Sequence, residues 1–261
     1  LAVFGDLTLQ LIPKPESVMT MLALFANVHQ AGAAVEGMIS SGLMPRCLEL
    51  LDKDTLQAMR EAGNAIDQRA GAMLLIEVDG DAAGVERQAE RVGEACTAVG
   101  SVDVLVAQDA AQRDRLWAAR REMSHAVRRL SKKKLSEDVV VPRQKIGELL
   151  DRVTEIGQRN GIHTLTYGHA GDGNLHVNFL WNTDEQLPAV SRSIEELFRQ
   201  VVAMRGTLSG EHGIGVLKAP YLGLEQSEEL IDLQRDLKRV FDPGELLNPG
   251  KIFPAAPHRA C

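Results

Sequence analysis

The amino-acid sequence predicts an α+β fold of the ferredoxin-like type, an antiparallel sheet with its helices on one face. From Glu16 onward, segments with helical periodicity alternate with segments of strand-like composition. Residues 73–78 form a strand-like apolar run that ends at an Asp-Gly turn, and a helical segment follows at once. Two strand-helix-strand units with short connections favour this fold class.

The first elements are predicted from caps and apolar spacing. Residues 1–12 alternate as a strand and stop at the Pro-Lys-Pro segment 13–15, which is typical of a linker. A serine-capped helix is predicted over residues 17–30 and a strand over residues 33–39. A further helix is predicted over residues 54–70.

The later elements follow the same alternation. The predicted helices cover residues 81–99, 109–130, 143–160, 184–205 and 227–241, and the predicted strands cover residues 102–107, 136–142, 162–167 and 175–181. The last helix stops at an Asp-Pro-Gly sequence, which cannot continue it.

Residues 168–178 carry two histidines on a predicted hairpin. The turn 170–173 reads Ala-Gly-Asp-Gly, and its glycines allow positive φ where the chain reverses. His169 at the end of one strand and His176 at the start of the next can therefore converge. Asn178 shares a face with His176 because strand side chains repeat every second residue. Two neutral imidazoles at a hairpin mouth suit a divalent metal that takes a third ligand from elsewhere.

The glycine-rich segment 206–215 offers that ligand. We predict that His169, His176 and Glu211 bind one metal with an open position for substrate, and that His212 acts beside it as a general base. A single strand histidine is more often a structural residue than a ligand. Spacing alone therefore leaves metal binding and a structural role equally open.

Composition limits the classes of partner. The 261 residues carry a net charge of -7 with a pI near 5.6, which argues against nucleic acid or an anionic membrane as the main partner. The longest apolar stretch, residues 18–28, is too short to span a bilayer. Cys47, Cys96 and Cys261 show no ligand-like spacing, which fits a reducing cytoplasm without a disulfide framework. We therefore predict a cytoplasmic protein of one or two domains with no integral membrane segment.

Three motifs, in this order, resemble one enzyme family. Residues 168–178, 209–215 and 241–252 are similar to the carboxy-terminal half of FAD-linked 2-hydroxy acid oxidoreductases. This group of the vanillyl-alcohol oxidase superfamily includes the glycolate oxidase D subunit, D-lactate dehydrogenase and D-2-hydroxyglutarate dehydrogenase. The resemblance covers nearly the whole chain. It implies the C-terminal fold of FAD-linked oxidases and a metal on the hairpin, with zinc as the expected ion.

The resemblance also implies a division of the chain. Residues 1–15 look like the last strand of an FAD-binding domain plus a linker, and residues 16–261 look like the cap and substrate domain with a flavin-proximal tail. No Gly-x-Gly-x-x-Gly signature occurs in the sequence. FAD is thus expected to be bound mainly by a domain or subunit outside this chain. The chain is expected to be a fragment, a truncated product or one part of a split enzyme.

Further site residues follow from the resemblance alone. Arg120 matches the arginine that contacts the substrate carboxylate in the family, and Ser124, one helical turn later, could add a hydroxyl. Asn248 and Lys251 match a turn near the flavin ring. Ser136 stands where some relatives carry a substrate-binding lysine, so a second substrate carboxylate is less expected.

The resemblance implies a substrate-domain portion of an enzyme that oxidises a D-lactate or glycolate type of 2-hydroxy acid by hydride transfer to FAD. Asn178 would orient the substrate, and the chain alone is expected to be inactive. The expected partners are that acid and an FAD-binding domain or subunit, with a homodimer as one candidate assembly. Two other classes stay open: a non-redox zinc hydrolase, and a non-catalytic remnant or interaction module.

Overall fold

A seven-stranded antiparallel sheet forms the centre of the chain. The computed structural model describes residues 5–253, apart from the side chain of Ala119. The strands are β1 (Ser17–Phe25), β2 (Cys47–Asp52), β3 (Ala72–Gly80), β4 (Asp103–Val106), β5 (Lys133–Val140), β6 (His163–His169) and β7 (Asn174–Trp181). Their order is β4-β1-β3-β2-β6-β7-β5, and every neighbouring pair is antiparallel. The predicted α+β class with an antiparallel sheet is confirmed.

Between residues 5 and 253, seven α-helices connect and follow the strands. They are α1 (Val28–Ser40), α2 (Lys53–Glu61), α3 (Ala82–Ala98), α4 (Ala110–Arg129), α5 (Ile146–Asn160), α6 (Leu187–Ala203) and α7 (Glu228–Phe241), with short 3-10 helices at Arg143–Lys145, Asp184–Gln186 and Ala219–Leu224. Within the described residues, none of these helices is long and apolar enough to cross a membrane.

The helices lie on both faces of the sheet. The larger core packs α1, α3, α5 and α6 against one face, around residues such as Phe25 and Phe198. On the other face, Met59 of α2 and Met123 of α4 pack with Met73 of β3 in a smaller core. The prediction of helices on one face is therefore incomplete. The physical reason lies in β3, where residues 72–78 are all buried, so both faces of that strand need a cover.

The prediction for the first two elements is wrong. Residues 17–25, predicted as helix, form β1 and pair with β3 over nine residues. Residues 33–39, predicted as a strand, belong to α1, whose cap is Asn27 rather than a serine further upstream. The buried residues of α1 are spaced at 31, 34, 35 and 38, a helical period that short strand-like windows obscure.

Three further differences concern short or unpaired segments. Helix α2 ends at Glu61 rather than near residue 70, and the Arg60 guanidinium holds the following loop by donating to the carbonyls of Asp67 and Ala70. Strand β2 was not predicted at all. Residues 5–12 form no strand, because a strand needs a neighbour, and none of the described strands pairs with them.

The remaining helices and the histidine hairpin are confirmed within a few residues. Strands β6 and β7 pair so that Tyr167 lies opposite His176 and His169 opposite Asn174. Strand β2 lies between β3 and β6, and its Glu49 lies directly opposite His169. These registers place Glu49, His169 and His176 on the same face as the smaller core.

Candidate metal and substrate site

The structure brings the three predicted metal ligands together. His169, His176 and Glu211 each offer one donor atom, and these atoms all lie within 4.8 Å of one another. Oε1 of Glu211 is 3.4 Å from Nε2 of His176 and 3.8 Å from Nε2 of His169. The turn between the histidines lies close to the backbone just after β5, since a Cβ on Gly173 would lie 2.1 Å from the carbonyl oxygen of Val141.

Glu49 is a site residue that the sequence analysis missed. It is 5% exposed, and its Oε1 accepts a hydrogen bond of 2.5 Å from Nδ1 of His169. Burial raises the pKa of Glu49, but the hydrogen bond from His169 and the adjacent Arg120 guanidinium outweigh it and lower that pKa to about 2. The same hydrogen bond raises the pKa of His169. Glu49 belongs to no recognisable sequence motif, and the strand β2 that carries it was not predicted either.

Arg120 lies beside the metal ligands and is bound to Glu49. Its Nε and Nη2 donate to Oε2 of Glu49 at 3.0 and 2.6 Å, and its guanidinium carbon lies 5.4 Å from the ring centre of Tyr167. Lys134 approaches the same ring, with Nζ 5.5 Å from the ring centre. Two cations therefore flank one aromatic ring on this face of the sheet.

His176 and His212 are stacked. Their ring centres are 5.4 Å apart and their planes differ by 14°. Burial lowers the pKa of His176, and the neighbouring His169 adds to this effect, which favours the neutral imidazole that a metal requires. Nδ1 of His176 is buried without a hydrogen-bond partner among the described residues. His212 is about half exposed, and its Nε2 lies 3.7 Å from Oε1 of Glu211.

Asp138 holds the loop that carries Glu211 and His212. Its fully buried carboxylate accepts hydrogen bonds from the backbone N–H groups of Gly210, Glu211 and His212 at 2.7, 2.7 and 3.0 Å. Lys218, itself 4% exposed, donates to the same carboxylate. Burial raises the pKa of Asp138, but the Lys218 ammonium and these N–H groups lower it to about 2. No sequence motif predicts a role for Asp138 or Lys218.

Two further predicted site residues, Asn178 and Ser124, make no hydrogen bond to the side chains of the three proposed metal ligands among the described residues. The Asn178 side chain is fully buried, and its amide donates to the carbonyls of His176 and Leu165 at 2.8 and 3.3 Å. These contacts support the sheet, and a substrate contact by Asn178 stays a prediction. Ser124 is partly buried on α4, and its role also stays a prediction.

The predicted flavin-proximal turn lies in an exposed tail. Asn248 and Lys251 are both exposed and follow α7. The tail returns towards the site, as a hydrogen bond shows. The Ile252 N–H donates at 2.7 Å to the carbonyl of Gly215, which lies three residues after His212 in the sequence. A contact with flavin at this tail stays a prediction.

The donor set fits a divalent metal. Two imidazole nitrogens and one carboxylate oxygen are a common set for zinc, with room for substrate in a fourth position. Because Nδ1 of His169 is bound by Glu49, its Nε2 is the nitrogen left to face the cluster. A carboxylate on the far nitrogen of a histidine is the usual support of a metal ligand.

Comparisons with known proteins agree with this architecture. The chain is 37% identical over 257 residues to the glycolate oxidase subunit GlcD of Bacillus subtilis, covering 97% of this chain and 54% of that protein. It is 31% identical to a D-lactate dehydrogenase of Anaerostipes hadrus, covering 97% and 55%. The chain thus spans about half the length of the curated relatives it matches.

Solved structures share the fold at low sequence identity. p-Cresol methylhydroxylase matches 93% of this chain and 54% of its own with a TM-score of 0.72 and 11% identity. The 4-ethylphenol oxidase from Gulosibacter chungangensis matches 94% and 55% with a TM-score of 0.68 and 18% identity. The model of the C-terminal domain of FAD linked oxidases matches residues 14–252. This chain is therefore a member of the FAD-linked oxidase C-terminal domain family.

Proposed function

We propose that this chain is the substrate-side portion of an FAD-dependent oxidoreductase that oxidises a 2-hydroxy acid of the glycolate or D-lactate type. The observation that carries the proposal is the convergence of His169, His176 and Glu211 within 4.8 Å beside the stacked His212. Relatives named as a glycolate oxidase subunit and as a D-lactate dehydrogenase support the substrate class.

His169, His176 and Glu211 would hold a divalent metal, with zinc the expected ion. When bound, the metal would supply a Lewis acid that lowers the pKa of the substrate hydroxyl. His212 accepts the hydroxyl proton, since its half-exposed ring lies beside Glu211 and stacks on His176. Asp138 keeps this base in place through the backbone of the loop.

Arg120 binds the substrate carboxylate. Glu49 occupies its Nε and Nη2, and among the described residues its Nη1 has no hydrogen-bond partner. One edge of the guanidinium therefore stays available for an anion next to the metal ligands. Ser136 faces the same side as its strand neighbour Asn178 and carries no charge for a second carboxylate, which favours a monocarboxylic substrate.

FAD is bound mainly by a domain or subunit outside this chain, and bound FAD would supply the hydride acceptor. Helix α7 presents the docking surface for that domain. Its exposed apolar residues recur at helical spacing along one stripe, formed by Leu230, Leu233, Leu237, Val240 and Phe241. An apolar stripe of this kind marks an interface rather than a solvated surface.

The metal assignment is tested on the purified chain by stripping it with chelator and titrating Zn²⁺ in a calorimeter. We expect one zinc per chain in the parent and none bound specifically in His169→Ala/His176→Ala. His163→Ala, which removes an exposed histidine at the far end of β6, is the matched control and should keep the parent affinity. Equal binding by all three proteins would overturn the metal site.

The reaction is tested by co-expressing the chain with the FAD-binding half of the Bacillus subtilis relative. We expect dye reduction with glycolate or D-lactate only in the reconstituted complex, and no tightly bound FAD in the isolated chain. If the isolated chain were purified with bound flavin, seen as a yellow colour, the proposal that FAD is bound mainly outside this chain would be contradicted. Ester or amide hydrolysis by the zinc-loaded chain without flavin would instead support the hydrolase alternative.

A further inference from the structure

The carboxylate of Glu49 contacts two parts of the site at once. Oε1 accepts from Nδ1 of His169 at 2.5 Å, while Oε2 accepts from Nε and Nη2 of Arg120 at 3.0 and 2.6 Å. One oxygen is thus committed to a proposed metal ligand and the other to the proposed carboxylate-binding cation.

The fold fixes Glu49 in this position. It lies on β2 opposite His169 in the strand register, and β2 is enclosed on both sides by β3 and β6. Its side chain is 7% exposed, and that of Arg120 is 17% exposed. A buried carboxylate is retained only where partners satisfy its oxygens, and here both oxygens are satisfied by site residues.

We propose that Glu49 is the positioning residue that presents Nε2 of His169 to the metal and holds the Arg120 guanidinium beside that ligand. The inference rests on the proposed metal site. An Nδ1–H donor on His169 leaves the lone pair on Nε2, so Glu49 selects the tautomer that binds the ion. The two hydrogen bonds from Nε and Nη2 of Arg120 to Oε2 of Glu49 fix the guanidinium plane beside His169.

Glu49→Gln is the informative substitution. An amide keeps the shape but places an NH₂ group against a donor, either Nδ1–H of His169 or the guanidinium of Arg120. The Zn²⁺ dissociation constant of the purified chain should rise roughly 10- to 100-fold, the range seen when such a partner of a metal-bound histidine is lost.

Glu77→Gln is the matched control. Glu77 is 6% exposed on the same face of the neighbouring strand β3, and its carboxylate accepts from Thr20 at 2.7 Å and from Trp117 at 3.0 Å. It contacts neither His169 nor Arg120 among the described residues, so its amide variant should bind Zn²⁺ like the parent.

A second readout needs no metal. Long-range ¹H–¹⁵N spectra of the metal-free chain at alkaline pH report the tautomer of each imidazole. His169 should carry its proton on Nδ1 in the parent and in Glu77→Gln, and should shift towards the Nε2 tautomer in Glu49→Gln. If Glu49→Gln does not fold, Glu49→Asp keeps the negative charge but is one methylene shorter, which draws the carboxylate away from His169, and the same two measurements apply.

Parent-like zinc affinity together with a parent-like tautomer in a folded Glu49 variant would overturn the positioning role while leaving the metal site intact. Failure of the parent itself to bind Zn²⁺ would overturn the proposed metal site and this inference with it. A loss of affinity equal in Glu49→Gln and Glu77→Gln would assign the effect to general destabilisation and refute the specific role.

Discussion

Replacing Asp138 by asparagine tests whether a buried ion pair holds the loop that carries Glu211 and His212. One Asp138 oxygen accepts three backbone N–H groups and the other pairs with Lys218, which is 4% exposed. The amide removes the charge and turns an NH₂ group towards one of these donors. It also leaves the Lys218 ammonium buried with only Glu137 as a carboxylate partner, at 3.6 Å.

The expected loss of stability arises because the buried Lys218 ammonium loses its hydrogen-bonded carboxylate partner. Removing one partner of a buried ion pair destabilises a protein by about 3–5 kcal/mol, so Asp138→Asn should lower the free energy of unfolding by that amount at pH 7. Lys218→Met in the same chain removes the unpaired charge. The double variant should therefore be more stable than Asp138→Asn alone, with a coupling energy on the order of 2 kcal/mol.

The pH dependence has a defined sign. Because the pKa of Asp138 is about 2 in the folded chain and its ordinary value is 3.8, ionised Asp138 stabilises the fold above pH 4 by roughly 2 kcal/mol. That contribution is lost as pH falls through the folded pKa. The stability gap between parent and Asp138→Asn should therefore narrow between pH 5 and pH 2.

Urea denaturation followed by circular dichroism measures both effects. Asp81→Asn is the control, because Asp81 only caps α3 through the Gly84 N–H at 2.7 Å and asparagine caps equally well. An Asp138→Asn chain that unfolds within about 1 kcal/mol of the parent at pH 7 would refute the ion-pair argument.

Three further predictions follow from single contacts. Gly173→Ala should lower the free energy of unfolding by about 1–3 kcal/mol, because Gly173 has φ +81° and its new Cβ would meet the Val141 carbonyl. A thermal melt measures this, and a melting temperature equal to that of the parent would contradict it. In the reconstituted enzyme, His212→Ala should lower turnover on the order of 10²-fold without weakening Zn²⁺ binding, and a weaker zinc affinity would make His212 a ligand instead. Leu233→Lys/Val240→Lys should leave the melting temperature within about 2 °C of the parent but abolish co-purification with the FAD-binding half, since both side chains are exposed on the proposed docking surface of α7, and undiminished co-purification would contradict this.

The sequence predicted the parts of the site that are local in the chain. The hairpin histidines are seven residues apart, and the turn chemistry between them is enough to bring them together. Helices α3 to α7 carry clear caps or apolar periods and were found within a few residues. The errors at β1 and α1 have a related cause, because short apolar runs fit either period. Pairing with β3 makes residues 17–25 a strand, and the spacing of buried residues identifies α1 only over its full length.

The missed residues depend on contacts between distant segments. Glu49 is separated from His169 by 120 residues, and Asp138 is separated from Lys218 by 80. Glu49 faces the smaller core although it is charged, so β2 shows no clear alternation of apolar and polar residues. The contact of Glu49 with His169 depends on β2 lying between β3 and β6. No local sequence pattern specifies that strand order.

Two buried carboxylates, Glu49 and Asp138, lie on the sheet face that carries the smaller core, and their burial needs a physical reason. Leu51, Met73 and Leu165 show that apolar side chains can cover the same face, so the fold does not require carboxylates there. A buried ion pair contributes little stability over well-packed apolar residues of similar volume. Glu49 and Asp138 are nevertheless buried, and each is bonded to a residue or loop that supplies a proposed metal ligand. Preorganisation of the proposed metal site is a physical reason for this burial. The two carboxylates would hold the proposed donors in place, and the stability that apolar packing would have provided is given up.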